Sequence, residues 1–170
     1  MPTLSIAGAE SRDALRRLNQ FALYEEGMDP GADGIIDWGE SIDDYLGRPD
    51  HVGLVIAAAE ALVGLSLIKT NRPHTGPDGV TPTRANIMEQ FYILRPWRRK
   101  GIGAEAARMI LYRYPGDWVI TTWPSEERVG FWRHVTCCIQ GASSQEYCPG
   151  EHHGFPGQFV WVVRTVRLDE

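Results

Sequence analysis

The sequence is poor in cysteine and contains no long run of apolar residues. Three cysteines, two of them adjacent at Cys137 and Cys138, make a poor disulfide framework and fit a reducing compartment. No 18-residue apolar stretch occurs, which predicts that the chain has no membrane span. Residues 1–10 lack a basic region followed by a long apolar segment, so we expect no export signal and a cytoplasmic protein.

Of two familiar phosphate-binding patterns, one is absent and the other occurs in the wrong context. The P-loop string, Gly, four residues, then Gly-Lys-Ser/Thr, does not occur. Gly101, Gly103 and Ala106 match the letters of the dinucleotide fingerprint G-x-G-x-x-G/A, but they lie past mid-chain, and Asp117 comes too early to be its acidic partner. A nucleotide-dependent redox enzyme is therefore an alternative that a comparison of coenzyme A with NAD binding would decide.

The sequence does contain a basic turn, Arg98-Arg99-Lys100-Gly101-Ile102-Gly103. The apolar run 87–94 before it predicts a strand, and the segment 104–114 after it predicts a helix. A turn between a strand and a helix leaves backbone N–H groups free to bind an anion, and the helix dipole adds partial positive charge there. We therefore predict a phosphate-binding turn with three adjacent cations around it. The alternative is an ordinary turn with a solvated basic surface.

The spacing Arg/Gln-x-x-Gly-x-Gly/Ala is present as Arg98, Gly101 and Gly103. It resembles the acetyl-CoA-binding motif of the GNAT superfamily of N-acetyltransferases. Ile93 lies five residues before Arg98, where that family places the last inward residue of its fourth strand. The resemblance is specific over about residues 87–135 and architectural elsewhere.

Downstream of the motif, Trp118–Trp123 resembles the fifth strand of that family and Ser125–Val135 the helix after it, with Pro124 between them. The resemblance implies a single GNAT domain over residues 1–170. It implies an α/β (α+β) fold with a mixed, mostly antiparallel, twisted sheet of about six or seven strands. The central strands of that sheet splay apart, and helices flank it.

Periodicity and turn signals predict the remaining elements. They are strands at Thr3–Ala7 and Phe159–Val166, helices at Glu10–Glu26 and Ser41–Leu46 with Ser41 as N-cap, and a hairpin of Val52–Ala58 with Leu62–Ile68. Two stretches, Thr70–Ala85 and Gln140–Gly157, are predicted to be long loops. Whether they close over a site is left open.

The resemblance implies that the turn binds the pyrophosphate of coenzyme A. It also implies that backbone groups of the fourth strand pair with the amides of the pantetheine arm, as another strand would. The cofactor-binding residues that it implies are Ile93, Leu94, Arg98, Arg99, Lys100, Gly101, Ile102, Gly103, Ala104, Ser125 and Trp132.

Glu89 is the candidate catalytic residue. It is the only ionisable residue in the apolar strand 87–94, and a carboxylate there can accept the proton of an acceptor amine. Burial in the strand is expected to raise its pKa. The alternatives are a surface glutamate or a structural ion pair.

The sequence departs from the family pattern at Trp132, where many relatives have a tyrosine, and at Ser125, where they have an asparagine. An indole cannot protonate a thiolate leaving group. Either no acid is needed or another group acts, and His134 and Tyr147 are the candidates. We favour Trp132 as a packed wall residue.

No metal is expected. The candidate ligands Cys138, Cys148, His152 and His153 match no common zinc spacing.

Aromatic side chains beside acidic ones suit a cationic amine. The aromatic residues considered for a substrate pocket are Tyr24, Trp38, Tyr45 and Trp123.

The net charge of −5 is unevenly distributed. Residues 21–50 hold nine acidic and one basic residue, which gives −8, whereas residues 95–113 hold six basic and one acidic residue, which gives +5. A solvated face explains the acidic stretch, which would also repel nucleic acid and attract a cation. We therefore expect direct acetyl transfer from acetyl-CoA to a primary amine of a small molecule. A non-catalytic acyl-CoA-binding sensor is the alternative, and a homodimer is left open.

Overall fold

The computed structural model describes residues 1–6, 11–76 and 78–166. The elements in chain order are β1 (Thr3–Ile6), α1 (Arg12–Glu25), α2 (Ile42–Leu46), β2 (His51–Ala58), β3 (Ala61–Thr75), β4 (Pro82–Ile93), α3 (Ile102–Arg113), β5 (Gly116–Thr122), α4 (Glu126–Cys137), β6 (Ser143–Tyr147) and β7 (Phe159–Thr165). A short 3-10 helix, Arg95–Trp97, follows β4. The predicted ends at Ala7 and Glu10 lie outside the described residues.

The strands form a seven-stranded sheet in the order β1-β2-β3-β4-β5-β7-β6. β1 with β2, β5 with β7 and β6 with β7 pair antiparallel, whereas β4 and β5 are parallel. The parallel register joins Asn86–Met88 to Trp118–Ile120, and β4 continues beyond it to Ile93. This mixed sheet confirms the predicted architecture. Among the helices of the described residues, none has the length and apolar character to cross a bilayer.

Both predicted long loops contain strand structure, so these two predictions are wrong. β3 runs on to Thr75 and β4 begins at Pro82, so most of the stretch 70–85 forms the two arms of a hairpin. Polar side-chain contacts, which the apolar pattern of the sequence does not reveal, join the two arms. Arg84 donates to the carbonyl oxygen of Asn71, and the Asn71 N–H donates to Asn86 Oδ1. The outer half of β3 alternates between exposed and half-buried residues, so it carries no apolar signal.

The predicted loop 140–157 contains β6, whose sequence is Ser-Ser-Gln-Glu-Tyr. The first three residues of β6 are exposed. β6 is defined by its pairing with β7, which the composition of β6 does not reveal.

Two compact units make up the chain: residues 1–68 with 90–103, and residues 69–89 with 104–170. The single-domain organisation stays a prediction. In the first unit, α1 buries residues spaced three and four apart, as its helical period requires. A core cluster of this unit contains Leu15, Leu18, Ala22, Ile42, Tyr45, Val55, Leu65, Leu67 and Tyr92. Ser41 caps α2 as predicted, and its Oγ accepts a hydrogen bond from the Asp44 N–H at 3.1 Å.

The second unit contains α3, α4 and the strands β5 to β7. α3 buries Ala106, Ala107, Ile110 and Leu111 completely. The indole of Trp118 on β5 donates to the carbonyl oxygen of Tyr114 at 2.8 Å and so fixes the turn after α3. Val119 and Val160 form a separate apolar cluster with Ala85, against which Tyr147, Phe155 and Val162 pack.

Candidate functional site

The basic turn lies between β4 and α3, as predicted. The 3-10 helix closes with hydrogen bonds from the N–H groups of Trp97 and Arg98 to the carbonyl oxygens of Leu94 and Arg95, at 2.9 and 3.1 Å. The backbone then turns sharply, because Arg99 has φ = 61° and Gly101 has φ = 79°. Left-handed residues in a turn can direct successive N–H groups to one side, which makes an anion-binding concavity.

α3 begins directly after this turn, at Ile102. The first four N–H groups of a helix have no intrahelical acceptor, and they carry the positive end of the helix dipole. In α3 these groups belong to Gly101, Ile102, Gly103 and Ala104. The backbone of residues 98–104 therefore combines two features that favour a phosphate, a concave turn and a helix N-terminus.

The three cations of the turn lie in different surroundings. Arg99 and Lys100 are exposed, and the Lys100 ammonium lies 5.2 Å from the centre of the Trp97 ring. The Arg98 guanidinium instead pairs with Glu25: its Nη2 lies 2.6 Å from Glu25 Oε2. The charge of Arg98 is therefore matched by a carboxylate of α1, whereas contact of the three cations with a phosphate stays a prediction.

Glu25 joins the end of α1 to the basic turn. It accepts hydrogen bonds from the Tyr92 hydroxyl at 2.8 Å and from Arg98, and Arg95 Nε lies 3.2 Å from its Oε1. Burial alone raises the pKa of Glu25, but the hydrogen bonds from Arg98 and Tyr92 outweigh it, so the net pKa lies below its usual value. Burial and the same hydrogen bond to Glu25 raise the pKa of Tyr92 to about 12.

Sequence reasoning missed this network, although one signal for it was present. Glu25 continues the helical spacing of Leu15, Leu18 and Ala22, which places it on the buried face of α1. An acid on a core-facing stripe requires a partner. The basic turn contains the candidates, but the sequence does not say which of its cations turns inward.

Ile93 and Leu94 lie where β4 meets the turn. The Leu94 N–H donates to the Val63 carbonyl oxygen at 2.9 Å, and the Ile93 carbonyl oxygen accepts from Arg98 Nε at 2.6 Å. Backbone groups alternate in direction along a strand, so those of Ile93 point away from β3. β3 approaches β4 closely because Gly64 has no side chain: a Cβ there would lie 2.3 Å from the Tyr92 carbonyl oxygen.

In the second unit, Ala104 is buried and Ser125 is the N-cap of α4. Ser125 Oγ accepts from the Arg128 N–H at 3.5 Å. Trp132 is only 6% exposed and shares the buried face of α4 with Val129 and Val135. The interpretation of Trp132 as a packed side chain agrees with this position.

Glu89 pairs with Lys69 on the neighbouring strand, with Lys69 Nζ 2.5 Å from Glu89 Oε2. The Glu89 side chain is 30% exposed. The expected burial of this side chain is therefore wrong, because Glu89 projects to a surface on which an ammonium balances its charge. The ion pair was one of the alternatives considered for this residue.

The two substitutes proposed for the missing tyrosine lie in different environments. His134 is exposed on α4. Tyr147 is half-buried on β6, its ring 5.5 Å from that of His152, and burial raises its pKa.

His152, one of the four residues considered as metal ligands, is fully buried. Its Nδ1 accepts a hydrogen bond from the Gly154 N–H at 3.1 Å, so in the neutral ring the proton resides on Nε2. The His74 ring lies 5.5 Å away and the Phe155 ring packs beside both. Burial, together with the neighbouring His74 and His153, lowers the pKa of His152. Among the described residues, no three metal-binding side chains cluster in a way that could hold an ion.

The aromatic residues proposed for a substrate pocket also lie in different environments. Tyr45 is fully buried in the core of the first unit and contacts Trp38, with ring centres 6.0 Å apart, so its assignment to a pocket wall is wrong. Tyr24 and Trp123 are 68% and 58% exposed. Trp123 contacts Gly157, where a Cβ would lie 3.0 Å from the indole.

Part of the acidic stretch 21–50 is neutralised by arginines. Asp43 pairs with Arg12 at 3.1 Å and with Arg16 at 2.5 Å, and Arg48 pairs with Glu40 at 2.5 Å. The hydrogen bonds from Arg16 and Arg12 lower the pKa of Asp43. An open surface groove of about 630 Å³ lies beside these ion pairs and is lined by Gly39, Glu40, Asp43, Asp44, Gly47 and Arg48.

The sequence matches no protein-family model and no curated protein. Solved structures, by contrast, match over almost the whole chain. An aminoglycoside acetyltransferase in complex with coenzyme A has a TM-score of 0.65 at 14% identity, covering 97% of this chain and 95% of its own. An acetyltransferase from Thermus thermophilus has a TM-score of 0.61 at 11% identity, with coverages of 98% and 97%.

A third structure is a GNAT family acetyltransferase from Elizabethkingia anophelis with acetyl-CoA bound. Its TM-score is 0.54 at 12% identity, and the match covers 97% of this chain and 98% of that one. The chain therefore has the fold of the GNAT acetyltransferases, which confirms the fold class predicted from the sequence.

Proposed function

We propose that this protein is an N-acetyltransferase that moves an acetyl group from acetyl-CoA to a primary amine. The observation that carries the proposal is the turn at residues 98–103, with its left-handed residues and the helix N-terminus behind it. A fold shared with acetyltransferases supports it, and the turn lies between β4 and α3, as the resemblance implied.

In this proposal the turn binds the diphosphate of coenzyme A. The N–H groups of Gly101, Ile102, Gly103 and Ala104 donate to phosphate oxygens, and the exposed cations Arg99 and Lys100 supply charge. Arg98 acts differently: bonded to Glu25 and to the Ile93 carbonyl oxygen, it holds the turn in shape.

The end of β4 binds the pantetheine arm. Since the Leu94 N–H is directed to β3, the backbone groups of Ile93 face the opposite edge of β4, where an extended amide-bearing arm can add as a strand does. The Ile93 carbonyl oxygen already accepts from Arg98. A carbonyl oxygen has two lone pairs, so this bond leaves it a second acceptor site.

Acetyl-CoA supplies an acetyl thioester, whose carbonyl carbon a neutral amine can attack. Glu89 is the proposed base. As a carboxylate it accepts the proton that the amine loses, directly or through water. Lys69 holds the Glu89 carboxylate in place until the acceptor amine displaces the ammonium.

Ser125 and Trp132 are proposed as cofactor neighbours through the N-terminus of α4. Ser125 fixes that terminus by capping it, and Trp132 anchors the helix in the core. In neither role does the side chain supply a proton to the leaving thiolate.

The acceptor is proposed to be a small cationic amine. The groove beside Glu40, Asp43 and Asp44 is open and lined by carboxylates that Arg12, Arg16 and Arg48 only partly balance. Charge of this sign raises the local concentration of cations and disfavours nucleic acid.

Calorimetric titration of coenzyme A at low salt tests the binding proposal. Arg99→Gln with Lys100→Gln should weaken binding about ten- to a hundredfold and reduce its dependence on salt. Arg113→Gln, an exposed arginine at the other end of α3, is the matched control and should bind as wild type does. Equal affinity in all three proteins would remove the turn from the diphosphate site.

Release of free thiol from acetyl-CoA in the presence of a panel of amines tests the transfer. Glu89→Gln should lower turnover about 10²- to 10⁴-fold, with coenzyme A affinity preserved. An unchanged rate and pH profile would exclude Glu89 from the mechanism.

A non-catalytic acyl-CoA sensor is the second candidate, and the indole at Trp132 favours it, because relatives place a phenol there. Tight binding of acetyl-CoA with slow thiol release from every amine would support the sensor. Rapid release with any amine would support the enzyme.

A further inference from the structure

The adjacent cysteines at the end of α4 have no role in the proposed acetyl transfer. Cys137 is the last residue of the helix and Cys138 is its C-cap. Both are exposed, and their sulfur atoms lie 3.3 Å apart. The Cys137 Sγ also lies 3.4 Å from the His134 carbonyl oxygen, which orients it along the helix end.

This geometry does not suit a relaxed disulfide. Residues joined by a trans peptide bond have Cα atoms about 3.8 Å apart, whereas disulfides span roughly 4.4–6.8 Å between Cα atoms. A bond between Cys137 and Cys138 would therefore be strained and readily reduced. Under reducing conditions the pair persists as two neighbouring thiols.

We propose that Cys137 and Cys138 form a dithiol site that binds one trivalent arsenical through both sulfurs. Bonds from sulfur to a soft centre are about 2.3 Å long, so two sulfurs on one centre lie about 3.3 Å apart when the angle between the bonds is close to 90°. The observed separation matches this value without movement of the backbone. Because both cysteines are exposed, the third substituent of the arsenic can point into solvent.

The reaction balances without an oxidant. In a monosubstituted arsine oxide the arsenic carries one carbon substituent and one oxygen. Each thiol sulfur forms one bond to arsenic, the arsenic–oxygen bonds break, and the oxygen leaves as water with the two thiol protons. The arsenic remains trivalent and both sulfurs keep their oxidation state.

The second sulfur is what makes the site specific. After one thiol has bound, the other acts at a high effective concentration, which can raise affinity by about 10²- to 10⁴-fold over a single thiol. Cys148, the remaining free cysteine, lies after β6 and has no adjacent cysteine in the sequence. It therefore serves as an internal monothiol control.

Phenylarsine oxide added to the full-length protein under reducing conditions tests the proposal. One equivalent should remove two of the three titratable thiols, and intact-mass measurement should show a single adduct with loss of one water. 2,3-Dimercaptopropanol should reverse the reaction, whereas 2-mercaptoethanol at the same thiol concentration should not. If all three thiols stay titratable in the wild-type protein, the proposal is wrong.

Three single variants assign the site. Cys137→Ser and Cys138→Ser should each weaken binding at least about a hundredfold, and Cys148→Ser should bind as wild type does. Tight binding by either of the first two, or its loss in the third, would overturn the assignment. The wild-type thiol count decides the question even if a variant folds poorly.

Discussion

The Nη2 atom of Arg98 lies 2.6 Å from Oε2 of Glu25, so the first residue of the basic turn is tied to the last residue of α1. The same guanidinium lies 5.2 Å from the Tyr92 ring centre and donates from Nε to the Ile93 carbonyl oxygen. Arg98 is thus a structural cation, and the exposed charge of the turn comes from its neighbours.

Glu25→Gln should destabilise the protein, because the amide cannot balance the charge of Arg98 and Arg95. We expect a loss of about 1–3 kcal/mol in the free energy of unfolding, measured by urea denaturation at pH 7. Coenzyme A affinity should fall about tenfold with it, which corresponds to about 1.4 kcal/mol. Asp29→Asn, a change of an exposed carboxylate shortly after α1, should leave both quantities within error.

The lowered pKa of Glu25 also makes the free energy of unfolding depend on pH in the acid range. The folded-state pKa of Glu25 lies below the usual 4.5, so the unfolded chain binds its proton first as pH falls. The stabilisation is therefore fully present above about pH 4.5 and is lost as pH drops through the folded-state pKa. Glu25→Gln should flatten this part of the acid-denaturation curve. An unchanged curve would contradict the assigned network.

Gly101→Ala tests the left-handed turn. Nothing lies within 4 Å of a Cβ at this position, so the cost is purely conformational, about 1–2 kcal/mol at φ = 79°. Gly130 in α4 is the matched control: its Cβ would also meet nothing, but its backbone is helical, so Gly130→Ala should stabilise by up to about 1 kcal/mol. Thermal melts of both variants should therefore shift in opposite directions.

Ser125→Ala separates capping from cofactor binding. Loss of the N-cap should cost about 0.5–2 kcal/mol of stability. Ser41→Ala removes the corresponding cap of α2 and should cost a similar amount. If Ser125 also contacts the cofactor, only its variant should weaken coenzyme A binding, and equal affinity in the two variants would leave Ser125 a cap alone.

His152 should make the free energy of unfolding fall as the pH drops below about 6.5. Its folded-state pKa lies below the usual 6.5, so the unfolded chain binds a proton more readily in this range, and the free energy of unfolding falls by at most about 1.4 kcal/mol per pH unit for one proton. Protonation of Nδ1 would also oppose the Gly154 N–H. Burial likewise lowers the pKa of His74, which adds to the slope.

The measurement is the denaturation midpoint as a function of pH for wild type, His152→Phe and His134→Gln. The phenyl ring keeps the aromatic cluster but cannot titrate, so the slope should shrink. His134 is exposed on α4, and its replacement should leave the slope unchanged. A wild-type slope in His152→Phe would exclude His152 as the titrating group.

Sequence reasoning located the strand–turn–helix unit because glycine spacing, charge and apolar periodicity agree there. α3 begins at Ile102 and Ser41 caps α2, both set by local chemistry. The sequence around a charged residue does not show which residue its side chain pairs with. Arg98 and Glu89 were both assigned to chemistry, and each pairs with a residue on another element, Glu25 and Lys69.

The missed strands have a related cause. β6 and the outer half of β3 are polar and largely exposed, so their strand structure depends on pairing rather than on an apolar pattern. Asn71 adopts φ = 50° within β3, and Arg84 and Asn86 satisfy its polar groups. Such side-chain bonds stabilise an irregular strand that propensity alone disfavours.

β6 also ends the sheet, and its composition bears on solubility. An outermost strand offers an unpaired row of amide groups to any other chain that reaches it. The outermost strand exposes hydroxyl and amide groups in place of branched apolar side chains, at Ser143, Ser144 and Gln145. The margin is consequently a poor template for polymerisation, a protection that valine at either serine would weaken.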